Sequence, residues 1–168
     1  MPAEVLLVNT NRLKPPVAPV GLDYAADSLR AAGLGARLLD LCFETDADAA
    51  IEQALAGRQP VLVGLTLRNT DDCFLASGED FLPAFARIVR SVREHTSAPI
   101  VIGGSGYSVF PAAILEAVEA DYGIAGDGEA PLALLAGAVA RGDDPRGAPG
   151  LLWRENGETR RNPPWSSS

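Results

Sequence analysis

The sequence predicts an α/β protein, a doubly wound five-stranded parallel sheet covered by helices on both faces and followed by a C-terminal β-hairpin. Three observations carry this. Short runs rich in Val, Ile and Leu alternate five times with longer segments of helical period. Those runs are apolar at successive positions instead of every second one, the pattern of strands buried on both faces. Near the end, Asn156-Gly157 separates two strand-like runs, and Asn-Gly is the favoured pair for a type I′ hairpin turn. A chain of 168 residues can bury about 70% of its unfolded surface, so one core without disulfide staples is expected.

Each element follows from a local signal. Val5–Val8 forms the first strand, and after a Pro-rich loop Gly21–Ala32 places Leu22, Ala25, Ala26, Leu29 and Ala32 on one helical face. Gly33 and Gly35 are read as ending that helix. Ala36–Leu41 is the second strand and Asp46–Ala56 the second helix, with Ala47, Ala50, Ile51, Ala54 and Leu55 inward. Pro60–Leu67 is the third strand. The third helix is expected to be capped by Ser77, with Asp80 three residues on. Its apolar stripe is Phe81, Leu82, Phe85, Ile88, Val89 and Val92. Pro99–Gly103 is the fourth strand, and Pro111 suits the first turn of a helix to Val118. Asp121–Ala125 and Glu129–Ala140 complete the alternation. Right-handed crossovers then favour the flavodoxin-like strand order 2-1-3-4-5. The hairpin, Leu151–Glu155 and Glu158–Arg161, belongs to a tail, residues 148–168, set apart from a main domain of residues 1–147. Asn162 to Ser168 reads as linker.

Composition narrows function. The formal charge is −8, and Lys14 is the only lysine, which argues against a phosphate-neutralising nucleic-acid binder. Cys42 and Cys73, the two cysteines, make neither a disulfide framework nor a metal knuckle. No run approaches the ~18 apolar residues of a membrane span, and the first residues do not form a signal peptide. A cytoplasmic location is expected.

In an open parallel sheet the ligand crevice lies beyond the carboxyl ends of the strands. The relevant loops are 10–19, 68–78, 104–110 and 126–128. A phosphoacceptor receiver needs acidic residues after the first strand and a lysine after the fifth, and both are missing. Pro15, Pro16 and Pro19 remove the backbone donors that a flavin phosphate loop requires. A dinucleotide fold needs GxGxxG after the first strand, but the glycines follow the fourth. The run Ile102-Gly103-Gly104-Ser105-Gly106-Tyr107 lets backbone come close to a bulky ligand with a long tail, although a tight strand-to-helix turn would use the same glycines.

Taken with Pro19-Val-Gly21-Leu22, Val63-Gly-Leu-Thr66, Arg68-Asn-Thr70 and Gly126-Asp-Gly-Glu129, this run resembles the cobalamin-binding domain of cobalamin-dependent radical SAM enzymes. The resemblance covers nearly the whole chain and rests on the order and spacing of these segments. It implies a cobalamin site formed by Thr10, Asn11, Pro19, Gly21, Leu65, Thr66, Arg68, Asn69, Thr70, Gly103, Gly104, Ser105, Gly106, Tyr107, Gly126, Asp127, Gly128 and Glu129. Gly103 and Gly104 would line the path of the nucleotide tail, with Thr66 close to it.

Many corrinoid folds carry Asp-x-His-x-x-Gly after the first strand, and its histidine ligates cobalt. The segment from Asn9 to Gly21 has no histidine, a departure shared by radical SAM members. The resemblance therefore implies a corrinoid held base-off without a histidine ligand, and His95 is read as structural. A radical SAM domain, C-terminal or separate, would bring an iron–sulfur cluster and S-adenosylmethionine. This chain lacks the CxxxCxxC that holds such a cluster, so by itself it is expected to bind a cofactor, not to complete a methyl transfer. The alternatives are a flavin- or nucleotide-binding module of the same fold, or an interaction domain that binds neither.

Overall fold

The computed structural model of the protein describes residues 2–70 and 80–164. Five parallel strands, β1 (Glu4–Asn9), β2 (Gly35–Asp40), β3 (Leu62–Thr66), β4 (Ile100–Gly103) and β5 (Tyr122–Ile124), alternate with α1 (Val20–Ala31), α2 (Ala47–Leu55), α3 (Leu82–His95), α4 (Pro111–Ala117) and α5 (Glu129–Arg141). Two antiparallel strands, β6 (Leu151–Glu155) and β7 (Glu158–Arg161), close the chain.

The expected sheet of five strands in the order 2-1-3-4-5, with a separate hairpin, needs correction. The sheet has seven strands in the order β2-β1-β3-β4-β5-β6-β7, because β6 pairs antiparallel with β5. Leu151 and Leu152 of β6 are fully buried, so burial of this pair binds the hairpin to the sheet. Asn156 and Gly157 both take positive φ, 53° and 81°, as a type I′ turn requires. Asn162 also departs from the linker reading, since its Nδ2 donates to the carbonyls of Arg146 and Ala148.

Strand alternation sorts the core into two layers. Leu6, Val8, Val63, Leu65, Ile100 and Ile102 face α2, α3 and α4. Val5, Leu7, Leu62, Val101 and Ile124 face α1 and α5, against Ala25, Ala26, Leu29, Leu132 and Leu135.

Most helix ends obey local chemistry. Asp46 caps α2 by accepting from Ala49 N–H at 3.1 Å, and Pro111 opens α4. Gly33 leaves α1 with φ +80°, whereas Gly35 starts β2 instead of ending the helix. α3 begins at Leu82, whose N–H donates to Asp80 Oδ1 at 2.9 Å. The expected cap Ser77 lies outside the described residues, as do Asp71, Asp72 and Cys73. Among the described residues no helix is long and apolar enough to cross a membrane.

Candidate functional site

A cavity of about 490 Å³ opens between α1 and α5, at the carboxyl ends of β3, β4 and β5. Its floor is the sheet face turned toward those helices. Alternation brings Leu7, Gly64, Thr66, Val101, Gly103 and Ile124 to it, with Gly21, Leu22 and Ala25 of α1 on one side and Leu132 of α5 on the other. Two floor positions are glycine. At Gly64 a β-carbon would touch Leu7 Cδ2 at 3.1 Å, and at Gly103 it would lie 3.5 Å from the Ile124 carbonyl oxygen. Neither glycine has a positive φ, so here the missing side chain creates space instead of relieving backbone strain.

Gly104 and Gly106 have a different cause. Gly104 has φ +108°, and a β-carbon on it would stand 2.5 Å from the Leu67 carbonyl oxygen and 2.7 Å from Thr66 Oγ1. One on Gly106 would stand 2.8 Å from the backbone of Arg68 and Asn69. The loop after β4 therefore folds directly onto the loop after β3. Gly106 and Tyr107 donate to the Leu67 carbonyl, and Ser105 Oγ donates to that of Arg68 at 2.8 Å. Ser108 extends the lattice, donating to the Gly104 carbonyl at 2.9 Å and accepting from Gly126 N–H at 3.0 Å. One hydroxyl thus fastens both glycine loops at the cavity mouth.

The expected site residues divide into three groups. Gly21, Leu65, Thr66, Gly103, Gly104, Ser105, Gly126, Asp127, Gly128 and Glu129 line the large cavity. Thr10, Asn11, Arg68 and Asn69 line a second one of about 250 Å³, bounded by Phe81, Phe85 and Ile88 next to α3. The two regions meet along the carboxyl edge, where Thr10 Oγ1 donates to the Thr66 carbonyl. Pro19, Thr70, Gly106 and Tyr107 line neither of these two cavities. Pro19 stands at the N-cap of α1, and the Thr70 carbonyl accepts from Phe81 N–H at 2.9 Å.

Tyr107 is completely buried and belongs to the opposite core layer. Its ring covers Gly123 of β5, where any β-carbon would collide with the phenol oxygen. That oxygen has no hydrogen-bond partner among the described residues, and burial pushes the phenol well above its ordinary pKa. His95 ends α3, its Nδ1 2.8 Å from the Ser91 carbonyl oxygen. Because α3 leads into the start of β4, His95 lies at the opposite edge of the sheet from the cavity mouth.

Sequence reasoning missed Leu7, Leu22, Ala25, Gly64, Val101, Ile102, Ser108, Ile124 and Leu132 as lining residues. Gly64 carried a signal, because glycine inside a buried strand marks a close approach. The aliphatic residues carried none, being indistinguishable from core.

A family model for the B12 binding domain matches residues 6–136. The chain belongs to the B12-binding domain family. Among curated relatives, the tryptophan 2-C-methyltransferase of Streptomyces laurentii is 37% identical over 151 residues, 88% of this chain and 25% of that protein. Among solved structures, the radical S-adenosylmethionine methyltransferase TsrM from Kitasatospora setae, with cobalamin and a 4Fe–4S cluster bound, superposes with a TM-score of 0.93 at 38% identity. That match covers 98% of this chain and 29% of TsrM. The cobalamin-dependent radical enzyme OxsB, at 20% identity and a TM-score of 0.76, shares the fold. The chain thus spans about a quarter of the length of these proteins. Both superpositions cover 98% of this chain.

Proposed function

We propose that this chain is the cobalamin-holding domain of a radical SAM methyltransferase, with the cofactor's nucleotide tail seated in the cavity between α1 and α5. The single observation that carries the reading is that cavity: large, mainly apolar, floored by two glycines and open at the carboxyl edge. Its volume falls in the range of small-molecule sites, about 300–1,000 Å³. The residues present fit the group, because Gly64 and Gly103 form a cradle that ordinary side chains would fill.

Each residue then has a task. Leu7, Val101, Ile124 and Leu132 exclude water from the base. Ser108 holds the two glycine loops at the width that the tail requires. Thr10, Asn11, Arg68 and Asn69 stand at the carboxyl edge, where the corrin would rest. A guanidinium offers no lone pair to a metal, so Arg68 would cover the corrin from the carboxyl edge without ligating its cobalt. When bound, the corrinoid supplies a cobalt centre able to carry a methyl group, while the protein contributes binding and the surroundings of that centre. S-adenosylmethionine, the 4Fe–4S cluster and the methyl acceptor would be held by a radical SAM domain.

The test is reconstitution with hydroxocobalamin followed by gel filtration. One cobalamin is expected to co-elute per chain, with a base-off absorbance spectrum. Loss of the cofactor on the column, or retention of flavin in its place, would overturn the reading.

A further inference from the structure

We propose that the cavity between α1 and α5 selects the cofactor's lower base by polarity, taking a benzimidazole or another apolar aromatic base and discriminating against a purine. The inference rests on the corrinoid reading above and concerns which corrinoids the site accepts. The depth of the cavity is formed by Leu7, Ala25, Gly64, Val101, Ile124 and Leu132. No side-chain donor or acceptor stands among these six. The backbone beneath them is already engaged, since Gly64 pairs with Leu7 on one side and with Val101 on the other. The polar side chains of the lining, such as Thr66, Ser105, Ser108 and Glu129, all lie at or beyond the carboxyl ends of the strands, at the mouth. Ser108 is committed to the glycine loops.

A base seated at depth therefore exchanges water for hydrocarbon alone. A dimethylbenzimidazole displaced from cobalt has one exposed ring nitrogen, which can remain toward the mouth. An adenine carries several ring nitrogens and an exocyclic amine around its edge, so at least one polar group is buried without a partner in any orientation. Leaving such a group unpaired in an apolar pocket weakens binding by about 10- to 100-fold.

The experiment titrates the chain with four corrinoids that differ only in the tail: cobalamin, an adenine-bearing cobamide, a cresol-bearing cobamide and cobinamide, which has no nucleotide. Dissociation constants are read from the absorbance of the bound corrinoid. Cobalamin and the cresol form are expected to bind alike, and the adenine form about 10- to 100-fold more weakly. Val101→Thr puts a hydroxyl on the floor at nearly unchanged volume and should narrow that gap. Leu132→Gln is the second variant, with thermal melts confirming that each folds. Equal affinity for the adenine and benzimidazole forms would overturn the inference. So would cobinamide binding as tightly as cobalamin, or a gap unmoved in both variants. Failure of all four corrinoids to bind would instead overturn the proposed function itself.

Discussion

Gly103→Leu separates a glycine that makes room for a ligand from one that the backbone needs. Gly103 ends β4 on the same sheet face as Val101 and Ile124, and a β-carbon there would meet only the Ile124 carbonyl oxygen, at the ordinary distance of 3.5 Å. The leucine side chain should therefore enter the cavity without disturbing the fold. Forcing extra methylenes into filled space costs about 1–3 kcal/mol. In the complex that cost falls on the bound cofactor, a weakening of about 5- to 150-fold at 1.4 kcal/mol per decade. The neighbouring Gly104→Ala should behave in the opposite way. Its β-carbon would lie 2.5 Å from the Leu67 carbonyl oxygen at φ +108°, a strain of about 1–3 kcal/mol on the fold itself. For a domain of this size, each kcal/mol lowers the melting temperature by about 2–4 °C. The assay pairs a cobalamin titration with a thermal melt of the cofactor-free protein. Cobalamin affinity unchanged in Gly103→Leu would refute the seating of the tail, and an unchanged melt in Gly104→Ala would refute the packing of the two loops.

Three further outcomes are expected. Tyr107→Phe removes a buried hydroxyl that has no partner among the described residues, so the melting temperature should rise by about 2–4 °C, equivalent to about 1 kcal/mol. A fall would show that the hydroxyl is hydrogen-bonded. Hydrogen bonds from the Arg146 side chain and backbone hold the Asp144 carboxyl at about 2, below its ordinary 3.8. With a folded pKa below the unfolded one, the contact stabilises the protein above about pH 4 and is lost as pH falls through 2. The melting-temperature gap between wild type and Asp144→Asn should close over that interval, and a gap constant with pH would contradict it. Arg68→Ala should retain cobalamin but admit water beneath the cobalt and alter the electron paramagnetic resonance spectrum. An unchanged spectrum would remove Arg68 from the site.

Local chemistry was legible in the sequence and long-range pairing was not. Pro111 and Asn156-Gly157 act on neighbours a few residues away, so their roles as first turn and hairpin turn appear in the structure as read. The docking of the hairpin on β5 depends on Leu151 and Leu152 finding an open edge far away in the chain, which no local pattern encodes. Tyr107 shows the same limit at the site. An aromatic residue just after a glycine-rich run reads alike whether it meets a ligand or the core, and what decides is Gly123 on another strand. The pair Gly103-Gly104 read as one feature, yet the first opens the cavity and the second relieves a backbone collision. The floor residues Leu7, Val101 and Ile124 look like core because chemically they are core; only the space left by Gly64 and Gly103 makes them a site.

The placement of the nucleotide tail is tested most directly by electron paramagnetic resonance of the chain loaded with cob(II)alamin. If the tail occupies the cavity and no histidine replaces it, the spectrum is base-off and shows no nitrogen superhyperfine splitting on the cobalt lines. A resolved triplet splitting would mean that a nitrogen, from the cofactor's own base or from the protein, ligates the cobalt, and would contradict the account.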